Sequence, residues 1–174
     1  MAESSACSNG SSSNSMNTHY TRRTKADDFY TPESAMVPAF LAWLSHYNRI
    51  WEPCSGQGHL VKMLRDRGHR VYEADIQNGL EYDVRFTYVP RDVDAIVTNP
   101  PFSLRKEIVE RFVTHHRKPF ALLLPIQTLC QRWYEQYKDD FVVIPITGRL
   151  TFVGQPFAAP FYCAWFTYDG MGKQ

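Results

Sequence analysis

Arg49-Ile50-Trp51-Glu52-Pro53-Cys54-Ser55-Gly56-Gln57-Gly58 is the stretch whose reading decides the fold. Arg49 to Glu52 has strand character, the two glycines mark a tight turn, and Leu60, Val61 and Leu64 then recur at helical spacing until Gly68 ends the helix. A second strand, Arg70 to Ala74, follows at once. Strand, glycine turn, helix and strand in that order form the opening of a parallel α/β sheet, in which the turn lies at the carboxyl end of its strand.

The pattern continues in both directions. Upstream, Thr31-Pro32-Glu33 reads as a helix start, with Thr31 as N-cap and Pro32 at the first helical position, leading into Met36, Val37, Phe40, Leu41 and Leu44. Pro38 requires that helix to kink or to begin later, near Ser34. Downstream, Ala95-Ile96-Val97 is an apolar strand. A helix carrying Leu104, Ile108, Val109, Phe112 and Val113 on one face leads to the apolar strand Phe120 to Leu124. A helix over Thr128 to Tyr137 and strands over Phe141 to Ile146 and Phe161 to Tyr168 complete the series, the two strands being separated by a Gly/Pro-rich loop. Continuous apolar strands alternating with amphipathic helices predict a sheet covered on both faces.

Two positions give the glycine turn a chemical meaning. Nineteen residues after Gly56, Asp75 ends the second strand, where a carboxylate can accept hydrogen bonds from ribose hydroxyls. Glu52 precedes the glycines, and a carboxylate there would repel a pyrophosphate but suits a cationic or amine-bearing ligand. The glycines are G-x-G without the third of a dinucleotide fingerprint. S-adenosylmethionine carries both a ribose and a cationic amino-acid end.

Asn99-Pro100-Pro101-Phe102 closes the strand at Val97. A carboxamide oxygen and the Pro100 carbonyl can each accept one hydrogen of a flat amine, freeing its delocalised lone pair, while Phe102 stacks on the attached ring. The same residues can also be read as a rigid strand end with Phe102 in the core.

In the order Asp28-Phe29-Tyr30-Thr31-Pro32, Glu52 to Gly58, Asp75-Ile76 and Asn99 to Phe102, the chain resembles the DNA adenine-N6 methyltransferases, most of all their short, often phage-encoded members, over roughly Asp27 to Tyr168. That resemblance implies a Rossmann-like class I methyltransferase fold. It has a seven-stranded, mostly parallel sheet, the last strand antiparallel, with helices on both faces. The implied activity is methyl transfer from S-adenosylmethionine to adenine N6 in DNA, with the base flipped out to reach the pocket.

Residue by residue, the resemblance matches Tyr30, Thr31 and Pro32 to the methionine end of the cofactor. Glu52, Pro53, Gly56 and Gly58 match the loop around its amino-acid end. Asp75 matches the ribose carboxylate, Ile76 lies beside the adenine ring, and Asp83 is matched to a contact of the adenine amine. Asn99, Pro100, Pro101 and Phe102 match the target-amine clamp. The same chemistry on cytosine N4, an RNA base or a glutamine amide stays open, as does a non-catalytic methyltransferase-like subunit that binds nucleic acid.

Composition sets the remaining bounds. With 174 residues, of which 44% are hydrophobic, and a net charge of +1, the chain predicts one domain without an overall basic field. Residues 27–170 form the expected methyltransferase domain, and the Ser/Asn-rich segment 1–26 is read as a disordered tail. Too few residues separate Asn99 from Phe141 for a separate target-recognition domain. Specificity must therefore be low, rest on short loops, or come from a protein partner. The loop from Gly148 to Pro160, with Arg149 and Gln155, is a candidate for nucleic-acid contact, as are Arg105 and Lys106 and the basic trio Arg22, Arg23 and Lys25. Cys7, Cys54, Cys130 and Cys163 show no metal spacing, so no metal is assigned. They read as reduced thiols of a cytoplasmic protein, in the host cytoplasm if viral, with the nucleus as the eukaryotic alternative. No apolar run reaches membrane-spanning length.

Overall fold

A computed structural model describes residues 29–79 and 82–171; the tail 1–26 and the trio Arg22, Arg23 and Lys25 lie outside the described residues. Six strands form one sheet: β1 (Arg49–Glu52), β2 (Arg70–Glu73), β3 (Ala95–Thr98), β4 (Phe120–Pro125), β5 (Phe141–Pro145) and β6 (Cys163–Tyr168). Their order is β2-β1-β3-β4-β6-β5. β1 to β4 run parallel, and β6 is antiparallel to both of its neighbours. This is the Rossmann-like α/β class, and the last strand is antiparallel as expected.

The strand count departs from the expected seven. Between Asp75 and Ala95 the described residues form a short 3-10 turn, Ile76–Asn78, and irregular turns rather than a strand. Within this segment Gly79 and Pro90 bound an alternating run, Val84-Arg85-Phe86-Thr87-Tyr88, that is folded into a turn, the Phe86 and Thr87 N–H groups both donating to the Asp83 carbonyl at 2.8 Å.

Burial explains why the central strands are apolar throughout. All four residues of β3 and all six of β6 are buried, so both faces are covered. Adjacent strand residues point to opposite faces, and β6 shows what covers each. Trp165 stacks on Phe40 of helix α1 (Pro38–Leu44), at 4.0 Å and 8° between ring planes, and its indole N–H donates to the Ala35 carbonyl at 2.8 Å. Phe166 and Tyr168 face the other way. Tyr168 stacks on Phe120 at 4.9 Å, and Phe120 packs edge-on against Phe112, at the end of helix α3 (Arg105–Arg111). Tyr134 meets Phe166 edge-on on that side. Helices therefore flank both faces.

Three local expectations are corrected. Thr31 is not an N-cap: Pro32 is extended, a 3-10 turn spans Glu33–Ala35, and α1 begins at Pro38, which takes the N1 position after an extended Val37. Pro38 neither kinks nor breaks a helix there, because the first helical residue needs no N–H donor. The helix expected over Thr128 to Tyr137 is replaced by two 3-10 turns, Ile126–Cys130 and Arg132–Tyr134, with Gln131 extended between them. Its apolar residues do not make one stripe, since Tyr134 is buried while Leu129 is 43% exposed. After α3 the chain winds into a π turn, Phe112–His116, closed by Arg117 in the left-handed region.

Candidate functional site

The site begins where β1 runs out. The Ala74 N–H donates to the Glu52 carbonyl and the Ser55 N–H to the Ala74 carbonyl, at 2.9 and 3.0 Å, so the loop after β1 is tied to the end of β2. Gly56 (φ +50°) then turns its N–H onto Asp75 Oδ2 at 2.8 Å, and a Cβ there would sit 2.9 Å from the Tyr30 ring. Glycine is required for the conformation and for the close approach. Gly58 (φ +78°) meets nothing within 4 Å, so its freedom serves the turn into helix α2 (His59–Asp66).

Two buried carboxyl groups flank this loop. Asp75 is 3% exposed; its Oδ1 accepts from the Gln77 N–H at 2.9 Å while Oδ2 accepts from Gly56. Glu52 is 1% exposed, and its Oε1 accepts from the Cys54 N–H at 2.9 Å and from the Thr98 hydroxyl at 2.5 Å. Burial pushes Glu52 up to about 8, against the pull of those two donors and with further upward pressure from Asp75 and Glu73. At neutral pH this carboxyl is held largely protonated. A cation brought beside it would ionise it.

β3 delivers Asn99 to the same place. Its Nδ2 donates to the Phe29 carbonyl at 2.5 Å, which fixes the rotation of the amide and leaves Oδ1 as its acceptor end. The Tyr30 carbonyl in turn accepts from the Val153 N–H at 2.9 Å. Residues 29–31 thus cross the site as a strap held at two points. Between strap, loop and α2 lies a small open cleft.

Of the residues expected from the sequence, Tyr30, Thr31, Glu52 and Asn99 line this cleft together, with Gly56 and Asp75 hydrogen-bonded beside it. Pro32, Pro53, Gly58 and Ile76 are not among its lining residues, nor are Pro100, Pro101 and Phe102. Phe102 is 8% exposed and sits in a cluster of rings, stacked on Phe29 (5.3 Å, 21°) and edge-on to Phe161 (5.6 Å, 80°). Asp83 is buried away from the lining, where Arg85 grips both carboxylate oxygens at 2.6 to 3.1 Å.

Sequence reasoning missed Phe29, Cys54, Ser55, His59 and Leu60 as lining residues. His59 could have been found as the residue after Gly58, at the start of a helix whose first turn faces the loop. Its ring lies 5.5 Å from that of Tyr30. Phe29 gave only its place beside Tyr30.

The candidate nucleic-acid residues lie on two elements, Arg105 and Lys106 on α3 and Arg149 and Gln155 on the loop 148–160. Arg105 donates to the Phe102 carbonyl at 2.5 Å, just behind the Asn99 turn, and its buried Nε has no partner. Lys106 lies 3.9 Å from Glu110. Arg149 and Gln155 are exposed on the loop 148–160, where Phe152 is buried at 1% exposure while Phe157 is 81% exposed. Among the described residues no group of three His, Cys, Asp or Glu side chains is placed to hold a metal, and no helix is long and apolar enough to cross a membrane.

No protein-family model matches the sequence, and no curated protein matches it. Solved structures resemble the fold at low identity. The Mtq2-Trm112 complex of E. cuniculi, described as responsible for methylation of the eRF1 translation termination factor, aligns at 16% identity and TM-score 0.49, over 82% of this chain and 98% of that one. A dimethyladenosine transferase from Plasmodium falciparum aligns at 13% identity and TM-score 0.45, over 76% and 62%. The 23S rRNA methyltransferase ErmE aligns at 13% identity and TM-score 0.47, over 81% of this chain and 70% of that one.

Proposed function

We propose that this chain transfers a methyl group from S-adenosylmethionine to the exocyclic N6 amine of adenine in DNA. The observation that carries the reading is Asn99, whose amide is held by the Phe29 carbonyl with its oxygen end left to accept, at the cleft that also contains Glu52.

The donor set fits the cofactor. Glu52, kept near its neutral form by burial, gains most from a neighbouring cation, which suits the ammonium end. Asp75 accepts from the Gly56 and Gln77 N–H groups, and a carboxylate in that place is the acceptor type that ribose hydroxyls need. Tyr30, Thr31 and Pro32 would flank the methionine chain, Pro53 and Gly58 would shape the loop, and Ile76 would lie along the adenine. Asp83 enters this reading only by giving up part of its grip on Arg85. When bound, the cofactor supplies a methyl group on a sulfonium centre.

The residues of the chain do the rest by positioning. Asn99 Oδ1 and the Pro100 carbonyl accept the two amine hydrogens and localise the nitrogen lone pair, and Pro101 stiffens the turn that aims them. The nitrogen would take the methyl carbon as the carbon–sulfur bond breaks, that bond's electron pair going to sulfur, and would shed one proton to water. The aromatic cluster around Phe102 favours an amine on a ring over a side-chain amide. Arg105, Lys106, Arg149 and Gln155 would meet the nucleic-acid backbone, with a protein partner as a further source of target recognition.

The test is nucleoside mass spectrometry after incubating purified protein and S-adenosylmethionine with DNA, RNA and glutamine-containing peptide. N6-methyladenine in DNA is expected. Product in RNA or peptide alone would replace adenine in DNA as the acceptor, and cofactor binding without any product would point to a non-catalytic subunit.

A further inference from the structure

Phe29 has two functions in the site that can be separated. Its carbonyl orients the Asn99 amide, and its ring lies on Phe102 at 5.3 Å and 21° between planes, close to parallel. Phe29 lines the cleft, Phe102 does not, and the two rings are in contact. The other rings of the cluster enclose the pair: Phe152 tilts against Phe29 at 4.8 Å and Phe161 meets it edge-on at 5.7 Å. Phe152 is buried at 1% exposure, whereas Phe29 is only partly buried. Of the two rings in contact, Phe102 is buried and Phe29 only partly so, which makes Phe29 the more accessible of the pair. The backbone around it is pinned, through Phe29 to Asn99 and through Tyr30 to Val153, so departure requires only rotation of the side chain.

Resting on the acceptor reading above, we propose that Phe29 is the gate and selectivity residue of the acceptor pocket. Its ring occupies the place of the acceptor ring and yields it to a flat ring that restores the stacking on Phe102. An acceptor amine on a non-aromatic group would displace Phe29 without replacing that contact, and so would be disfavoured. The carbonyl stays with Asn99 throughout, keeping the clamp oriented while the pocket opens.

Adenosine titrated into protein with labelled phenylalanines tests this by NMR. In the wild type, the Phe29 to Phe102 ring contact is expected to vanish as adenosine binds. Phe29→Ala should bind adenosine about five- to tenfold more tightly, Phe29→Trp more weakly than wild type, and ribose, lacking the ring, should gain nothing. Weaker binding by Phe29→Ala would make the ring a wall of the pocket and overturn the gate. Persistence of the ring contact in the adenosine complex, or no adenosine binding by wild type or variants, would also overturn it. DNA methylation by the wild type is scored separately. Adenosine displacing Phe29 without methylated adenine in DNA would keep the gate and remove the proposed reaction, and methylated adenine with Phe29 unmoved would do the reverse.

Discussion

At the scale of single residues, Asn99 and Glu52 carry the sharpest expectations. On the proposed reading the Asn99 oxygen would meet the acceptor rather than the cofactor, so Asn99→Ala should lower turnover by roughly a hundredfold or more while leaving cofactor affinity nearly intact; single-turnover kinetics beside calorimetry measures both. Glu52 carries a pH signature. Its folded value, about 8, lies above the ordinary 4.5, so the native state binds the extra proton. Its contribution to stability is fully present below about pH 4.5 and is lost as pH rises through about 8. Glu52→Gln should therefore flatten the stability profile, removing a loss of about 2 to 3 kcal/mol between pH 5 and 7 in urea titrations. A parallel profile for wild type and variant would place the titration elsewhere. The sequence revealed Glu52 and Asn99 because each stands at a strand end before a proline, and Asp75 because it follows Gly56 by nineteen residues at the end of the next strand. It did not reveal that the Phe29 carbonyl holds Asn99, since that bond joins residues seventy positions apart and depends on how the strap crosses the sheet.

Among the elements, the β strands were the most legible and the helix limits the least. β1 was readable to its ends, and β3 and β4 were readable because strands buried on both faces are apolar throughout. The 3-10 turns at Ile126–Cys130 and Arg132–Tyr134 were not, because a helical spacing of apolar residues does not say which of them will find a core. The π turn after α3 also escaped the sequence reading, and it places His116 at 7% exposure between Trp51 and Phe112 with Nε2 unpartnered. Burial, then the charges of Arg111 and His115, push this imidazole down to about 4. Native protein keeps it neutral while the unfolded chain binds a proton below about 6.5, so stability is full above that pH and falls as pH drops towards about 4. His116→Phe should remove about 2 kcal/mol of that acid loss at pH 5, read as a smaller fall in Tm between pH 7 and 5. At the loop after β1, Asp75→Ala should weaken S-adenosylmethionine binding by about 1.5 to 3 kcal/mol in calorimetry, since it removes a charged acceptor and also releases the Gly56 N–H.

For the whole molecule, a net charge of +1, together with the proposal that short loops meet the nucleic acid, predicts weak, salt-sensitive contact with it. The isolated protein should methylate adenines with little preference beyond a neighbouring base or two, and Arg149→Ala with Gln155→Ala should reduce DNA methylation without changing cofactor affinity. Sequencing of methylated adenines decides the first, and a strict motif of four or more bases would show that the loops suffice for specificity. The six-stranded sheet has one more consequence. With no strand described beyond it, β2 is an outer strand of the sheet. The N–H groups of Arg70 and Ala74 bond towards β1, so by alternation the Val71 carbonyl points outwards. Arg65 covers that carbonyl, donating to it at 3.0 Å while pairing with Glu73 at 2.9 Å. An open strand is a template for pairing with another molecule, and a guanidinium seated on its carbonyl blocks the first rung of such a ladder. At the β2 edge this rung is guarded by one side chain, and Arg65→Ala should aggregate more than the wild type as concentration rises, seen by light scattering.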